Sequence, residues 1–163
     1  MEEVLIKELL NSIPQKGFVK SIHLRAKKRA FPIQVDQVLA DSAKGLEGDH
    51  ASNRLSKKRQ VTLIQFEHLE VIGKILGLDS IDPGKTRRNI VVSGINLFSI
   101  RKSQFQIGEA VLEGTGMCDP CSRMEENFGP GAYNAMRGHG GITAKIIKSG
   151  LIRQGDRVEF LPQ

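Results

Sequence analysis

Short β-branched segments separated by glycine and proline turns recur along most of the chain, and this pattern limits the possible folds most. The segments Gln60–Ile64, Ile90–Val92 and Arg157–Phe160 are typical of strands. Two further apolar stretches flank Gly108-Glu109, which predicts a hairpin. No rhythm of strand, helix and parallel strand is visible. The sequence therefore predicts a mainly β, barrel-like architecture with a few peripheral α-helices.

Helical spacing of apolar residues is limited to a few places. Residues 1–14 contain a short amphipathic pattern that ends at Pro14, and it precedes the main strand pattern. We therefore expect a helical appendage over residues 1–14 and a β-barrel domain over residues 15–163. Residues 66–77 predict one internal helix, whereas glycines and a proline within residues 125–136 leave room only for short helices.

Length and composition indicate one soluble domain. The chain has 163 residues, of which 39% are hydrophobic and 26% charged. It has no apolar run of membrane-spanning length and no signal-peptide pattern, so we expect no membrane partner. Two cysteines three residues apart are a poor disulfide framework and suggest reduced thiols in a cytoplasm.

The net charge of +6 suits an anionic partner but does not identify it. Aromatic residues make up only 5% of the chain, and proteins that stack nucleobases generally need more. Nucleic acid is therefore not the expected partner.

Both cysteines lie in one stretch with glycines before them, Pro120 between them and Arg123 after them. Because cations favour the thiolate, which is the nucleophile and the metal ligand, Cys121 is the candidate catalytic thiol or metal ligand. The alternative is a buried structural thiol. Cys118 could resolve a sulfenic acid or persulfide on Cys121. A zinc site is less expected, since His50, His139 and Asp119 lack zinc-ligand spacing.

A polar cluster, Thr86-Arg87-Arg88-Asn89, stands directly before a predicted strand. Guanidinium groups bind phosphate in a bidentate manner, so Arg87, Arg88 and Asn89 could clamp a phosphate. The alternative is a solvated entry to the strand. We predict that this cluster, the cysteines and the segment Arg137–Gly141 converge on one pocket that handles anions and sulfur.

Two histidines in glycine-rich loops, His50 and His139, are candidate proton donors near a thiolate, although loop histidines are more often plain surface. His50 lies in the polar stretch Lys44–Arg59, which predicts a long loop. Within this stretch Asp49 is expected to cap its own loop, and residues 57–59 are expected to form a solvated face.

An ordered set of short motifs gives the chain a family resemblance from about Gly17 to its end. The motifs are Gly48-Asp49 with a nearby histidine, Arg87-x-Asn89-Ile90-Val91, Gly94-x-x-Leu97, Gly108, Pro120-Cys121, Gly150 and Gly155-Asp156. Together they resemble the MOSC domain, the C-terminal domain of molybdenum cofactor sulfurases, which also occurs as stand-alone bacterial proteins. The resemblance implies a β-barrel of the kind also found in pyruvate kinase.

The resemblance also implies two roles for the same thiol. In molybdenum-binding relatives one cysteine ligates the metal of a molybdenum-molybdopterin cofactor and the Arg-x-Asn motif holds the pterin; these roles fall on Cys121, Arg87 and Asn89. Thr86, Arg88, Arg123, His50 and His139 are the further candidate cofactor contacts. In stand-alone members the cysteine is described as a candidate sulfur carrier that receives a persulfide from a pyridoxal-phosphate-dependent cysteine desulfurase. A molybdoenzyme is the other partner implied.

Two alternatives from other classes remain open at the level of sequence. The protein could be a non-enzymatic module that binds RNA or a protein through the basic runs at residues 27–29 and 57–59. It could also be a thiol redox protein in which Cys118 and Cys121 form a disulfide. The sequence alone therefore does not decide whether the protein is an enzyme.

Overall fold

The strands dominate the structure, a computed structural model that describes residues 2–50 and 57–163. The strands are β1 Gly17–Leu24, β2 Ile33–Val35, β3 Gln37–Asp41, β4 Gly45–Leu46, β5 Val61–Gln65, β6 Ile90–Ser93, β7 Gln104–Ile107, β8 Ala110–Met117, β9 Ile142–Lys148, β10 Gly150–Arg153 and β11 Arg157–Leu161. The α-helices are α1 Glu2–Leu10, α2 Phe66–Leu76, α3 Arg123–Phe128 and α4 Ala132–Met136. Turns of 3₁₀ helix lie at Lys57–Arg59, Pro83–Thr86 and Leu97–Ile100.

Seven strands close into a barrel in the order β1-β11-β7-β8-β9-β5-β6, with β6 pairing back onto β1. β2 extends the sheet beside β1, and β10, β3 and β4 form a separate three-stranded sheet. Closure leaves the barrel strands without a free edge, which suits a chain of short strands. The predicted barrel with a few peripheral helices is confirmed.

One strand pair departs from the prediction. β5 and β6 are parallel, and α2 connects them, so the chain does contain a βαβ unit. The unit is inconspicuous in the sequence because α2 begins at Phe66, directly after the last residue of β5, with no turn residue between them. The end of α2 was predictable, because glycine is common directly after a helix. Gly77 adopts the left-handed conformation there, and its N–H caps the last turn.

Successive residues of β5 and β6 face two different cores. Leu63, Ile90 and Val92 point into the barrel, which holds the larger cluster of buried apolar residues. Ile64 and Val91 point outward into a smaller cluster that α2, α3 and α4 cover. The helices therefore form a layer on the outside of the barrel, and Cys121 packs against this second core.

The glycines before the cysteines lie in a strand. Gly114 and Gly116 belong to β8, and the pairing of β8 with β9 shifts register between them. β8 ends at Met117, so Cys118 is the first residue beyond the strand. The predicted loop from Lys44 to Arg59 contains β4 and a 3₁₀ turn, and its residues 51–56 lie outside the described part of the chain.

The N-terminal helix is present at Glu2–Leu10. Its residues Leu5, Ile6, Leu9 and Leu10 are all more than half exposed. In the described part of the chain, no helix combines the length and the apolar character needed to cross a membrane.

Candidate functional site

Both cysteines lie in the wall of one cavity of about 200 Å³. The wall is formed by Arg25, Asp49, Arg59, Thr62, Arg87, Arg88, Asn89, Cys118, Asp119 and Cys121. Four of these residues are arginines, and only two are acids. The cavity is therefore a mainly cationic chamber that contains two thiols, as the predicted convergence of the cysteine and Arg/Asn segments requires.

Each thiol has an arginine beside it. The Nη1 group of Arg87 donates to Sγ of Cys121 at 3.5 Å, and the Nη2 group of Arg59 donates to Sγ of Cys118 at 3.8 Å. Cys118 is 2% exposed, whereas Cys121 is half-buried. A guanidinium at this distance stabilises negative charge on sulfur. Cys121 is therefore the thiol that a reactant can reach.

Arg88 holds the site together from inside the protein. Its Nε donates to the carbonyl of Gly140 at 2.8 Å, and Nη1 donates to Thr86 at 3.1 Å. Its Nη2 donates to the carbonyls of Cys118 and Asp119, both at 3.1 Å. The side chain is 5% exposed, and burial lowers its pKa. Four of its five N–H groups bind backbone carbonyls, so one is left for the ligand clamp that the sequence predicted.

Asn89 and Thr86 are also engaged within the protein. Oδ1 of Asn89 accepts from the N–H and the hydroxyl of Thr62, and its Nδ2 donates to the carbonyl of His23. The hydroxyl of Thr86 donates to the carbonyl of Pro83 at 2.6 Å. Asn89 thus fastens β1, β5 and β6 to one another, although its side chain still borders the cavity.

Arg87 is the member of this cluster whose side chain contacts the thiol of Cys121. Its φ of +63° puts it in the left-handed region, where a residue with a Cβ is disfavoured. The conformation follows from the turn before it, which Asp82 caps by accepting the N–H of Gly84, while the N–H of Arg87 bonds back to the Gly84 carbonyl. Strained backbone of this kind is concentrated at functional sites.

Two cavity residues were assigned otherwise from the sequence. Arg59 was expected on a solvated face, yet it contacts Cys118. Asp49 was expected to cap its own loop, yet its Oδ1 accepts the N–H of Arg25 from a distant segment. Arg59 lies two residues before β5, and Arg88 lies two residues before the parallel strand β6. This matching position was the sequence signal that could have placed Arg59 in the cavity.

A family comparison agrees with this arrangement. The MOSC domain model matches residues 50–159, well over half of the chain and including both cysteines and the Arg87–Asn89 cluster. The chain belongs to the MOSC domain family. No curated protein matches it.

Solved structures share the fold of this MOSC protein at low sequence identity. The YuaD protein from Bacillus subtilis is 19% identical, with a TM-score of 0.78 over 93% of this chain and 100% of that one. YiiM from Geobacillus stearothermophilus is 14% identical, with a TM-score of 0.73 over 89% of this chain and 75% of that one. YiiM from Escherichia coli is 19% identical, with a TM-score of 0.67 over 90% and 70%.

Three other candidates lie outside the MOSC cavity. The ring of His139 packs edge-to-face on His68, with centroids 5.1 Å apart, and its Nδ1 lies 3.2 Å from the carbonyl of Ala135. Burial, aided by the charge of His139, lowers the pKa of His68. His50 bonds to Arg25 through its backbone, and Arg123 lines a neighbouring pocket.

Gly140 and Gly141 allow close packing within the protein. A Cβ on Gly140 would overlap the carbonyl oxygen of Cys118, and one on Gly141 would overlap that of Leu63. Gly141 also has a φ of +90° and accepts the N–H of Cys118 at its carbonyl. These glycines let the 137–141 segment lie against the cysteine segment, where Arg88 joins the two.

A metal site built from several side chains is absent from residues 2–50 and 57–163, because no three of their His, Cys, Asp or Glu residues cluster suitably. These residues would therefore offer a metal at Cys121 at most one further His, Cys, Asp or Glu ligand beside that thiolate. The site's own chemistry is therefore that of a cation-flanked, partly accessible thiol.

Proposed function

We propose that this MOSC protein carries sulfane sulfur on Cys121. The observation that supports the proposal most is the contact of Arg87 Nη1 with Cys121 Sγ at 3.5 Å inside a mainly cationic cavity. A persulfide adds one sulfur atom to the thiol, and a chamber of about 200 Å³ has room for it. Arg87 and Arg59 are placed to stabilise the attacking thiolate and the persulfide anion that forms when the outer sulfur loses its proton.

The reaction proposed is a transfer between thiols. The thiolate of Cys121 attacks the terminal sulfur of a donor persulfide, R–S–SH. A new S–S bond forms at Cys121, the donor S–S bond breaks, and the donor leaves as R–S⁻ while the proton stays on the transferred sulfur. The donor class proposed is the cysteine persulfide of a pyridoxal-phosphate-dependent desulfurase. No net oxidation or reduction occurs, and a thiol acceptor reverses the step.

Binding of molybdenum cofactor is the second candidate, since MOSC domains are associated with functions related to that cofactor. A soft thiolate such as Cys121 suits molybdenum. The residues that the family implies for pterin binding are only partly available. The side-chain amide of Asn89 already bonds to Thr62 and His23, so Arg87 remains as the available contact. The cavity is also below the roughly 300–1,000 Å³ usual for ligand pockets, so a pterin would extend into adjoining grooves.

The test is intact mass after exposure to a cysteine desulfurase with cysteine, and separately to glutathione persulfide. We expect the wild type to gain one sulfur that a reductant removes. Cys121→Ser should gain none, and Cys118→Ser should still gain it, because Cys118 is buried. Arg87→Gln should slow the gain by about tenfold, the effect of losing one charge-assisted contact.

Metal analysis of the same preparations separates the two candidates. Molybdenum that copurifies with the wild type and not with Cys121→Ser, without a sulfur adduct, would make cofactor binding the function. A sulfur gain that survives Cys121→Ser would refute the assignment of the thiol.

A further inference from the structure

A second pocket opens beside the thiol cavity, and we call it the basic lobe. It has a volume of about 240 Å³ and shares Arg25 and Arg87 with the thiol cavity. Its other side chains include Arg29, Lys85 and Arg123. The lobe thus has five cationic residues and no acidic one in its wall, and it adjoins the thiol cavity at Arg25 and Arg87.

Three of these cations are not neutralised by acids. Arg29, Lys85 and Arg123 form no ion pair with any residue that the structure describes. Surface cations of that kind usually point to solvent, yet these come from three separate segments onto one concave surface. Such convergence is what recognition of phosphate requires.

The lobe is built with backbone features that an ordinary surface does not need. Arg29 and Arg87 are the two non-glycine residues with positive φ in the described part of the chain, and both line the lobe. The amide of Asn127 also donates to the Lys85 carbonyl at 2.8 Å, which fastens that segment to α3. Strain shared by two residues of one pocket points to function at that pocket.

An aromatic ring stands at the same pocket. Phe31 lines the lobe and is 91% exposed, the most exposed large hydrophobic residue in the described chain. A single exposed apolar residue needs no explanation by itself. Here it lies in a wall that is otherwise rich in cations, and a flat ring beside cations is suited to stack a nucleobase.

We propose that the basic lobe binds a nucleoside phosphate. Phe31 stacks on the base, while Arg29, Lys85 and Arg123 bind the phosphate. Arg87 then lies between this ligand and the thiol of Cys121. The inference goes beyond the proposed function and does not depend on it, because nucleotide binding in the lobe does not use the thiol of Cys121.

Binding should be measured by calorimetry at low salt with AMP, GMP, CMP and UMP, and with adenosine and inorganic phosphate as partial ligands. We expect at least one nucleotide to bind about tenfold more tightly than either partial ligand. Phe31→Ala should weaken nucleotide binding about tenfold and leave phosphate unchanged. Lys85→Gln and Arg123→Gln should weaken both, whereas Lys148→Gln, an exposed cation outside the lobe, should weaken neither.

Cys121→Ser separates this inference from the proposed function, because nucleotide binding should persist when sulfur transfer is lost. Equal affinity for nucleotide and inorganic phosphate, or no effect of Phe31→Ala, would overturn the proposal. Absence of nucleotide binding by a protein that still gains sulfur on Cys121 would overturn it too and leave the sulfur-carrier function standing.

Discussion

Replacing Arg88 by methionine tests whether this buried arginine, and not Arg87, holds the site in shape. The substitution keeps an apolar side chain of similar length and removes hydrogen bonds to four carbonyls. Those of Thr86, Gly140 and Cys118 belong to buried residues, whereas Asp119 is exposed and can bind water instead.

A buried polar group that loses its partner costs about 1–3 kcal/mol. Three such carbonyls set the upper limit of the loss in free energy of unfolding. Water that enters from the adjoining cavity reduces this loss. The variant also no longer buries a charge, which reduces the loss further. We therefore expect Arg88→Met to lower the free energy of unfolding by about 3–5 kcal/mol. Arg88→Lys should lose less, since an ammonium group retains the charge and up to three donors.

The assay is urea unfolding at neutral pH, read by circular dichroism, with Arg87→Met as the matched control. Arg87 makes one long contact to sulfur and is half-buried, so its loss should cost under about 1 kcal/mol. The thiol of Cys118 should also react faster with an alkylating reagent in folded Arg88→Met. A loss below about 1 kcal/mol for Arg88→Met, or equal losses for the two variants, would refute the assignment of Arg88 as the tether.

Three further outcomes are expected. Arg87→Gly should raise the free energy of unfolding by up to about 1 kcal/mol, because glycine tolerates a φ of +63°, while slowing sulfur gain by Cys121; destabilisation measured in urea would contradict this. Gly141→Ala should cost more than about 3 kcal/mol, because the new Cβ overlaps the Leu63 carbonyl; a urea midpoint near that of wild type would contradict it. Burial lowers the pKa of His23 from 6.5, so the folded state binds fewer protons than the unfolded state. The free energy of unfolding should therefore fall as pH drops below about 6.5. Between pH 7.5 and 5.5, the urea midpoint of His23→Gln should change less than that of the wild type.

Much of the barrel was predictable because the signals for it are local. Alternating or β-branched apolar runs indicated β5, β6 and β11, and Gly77 and Gly108 marked a helix end and the hairpin turn between β7 and β8. The parallel pairing of β5 with β6 was not predictable, since strand direction is set by distant partners and not by the residues of either strand.

The site was predictable as a neighbourhood but not as a set of roles. Cysteine and arginine in glycine-rich segments indicated a cationic thiol pocket, as found. Arg87 contacts the thiol of Cys121, whereas the adjacent Arg88 binds backbone carbonyls, and composition does not distinguish these two roles. Arg59 was missed for a related reason, because its contact with Cys118 spans 59 positions of sequence.

The helical layer over the second core affects how large reactants reach the thiol of Cys121. α3 and α4 have six and five residues, too few to persist without packing. They rest on a cluster of nine buried residues, whereas the larger cluster has 21. We therefore expect these helices to open locally far more often than the barrel unfolds, with faster amide hydrogen exchange. Because Cys121 packs on that cluster, we expect local opening of α3 and α4 to let large reactants reach it. The barrel strands can stay paired during this opening.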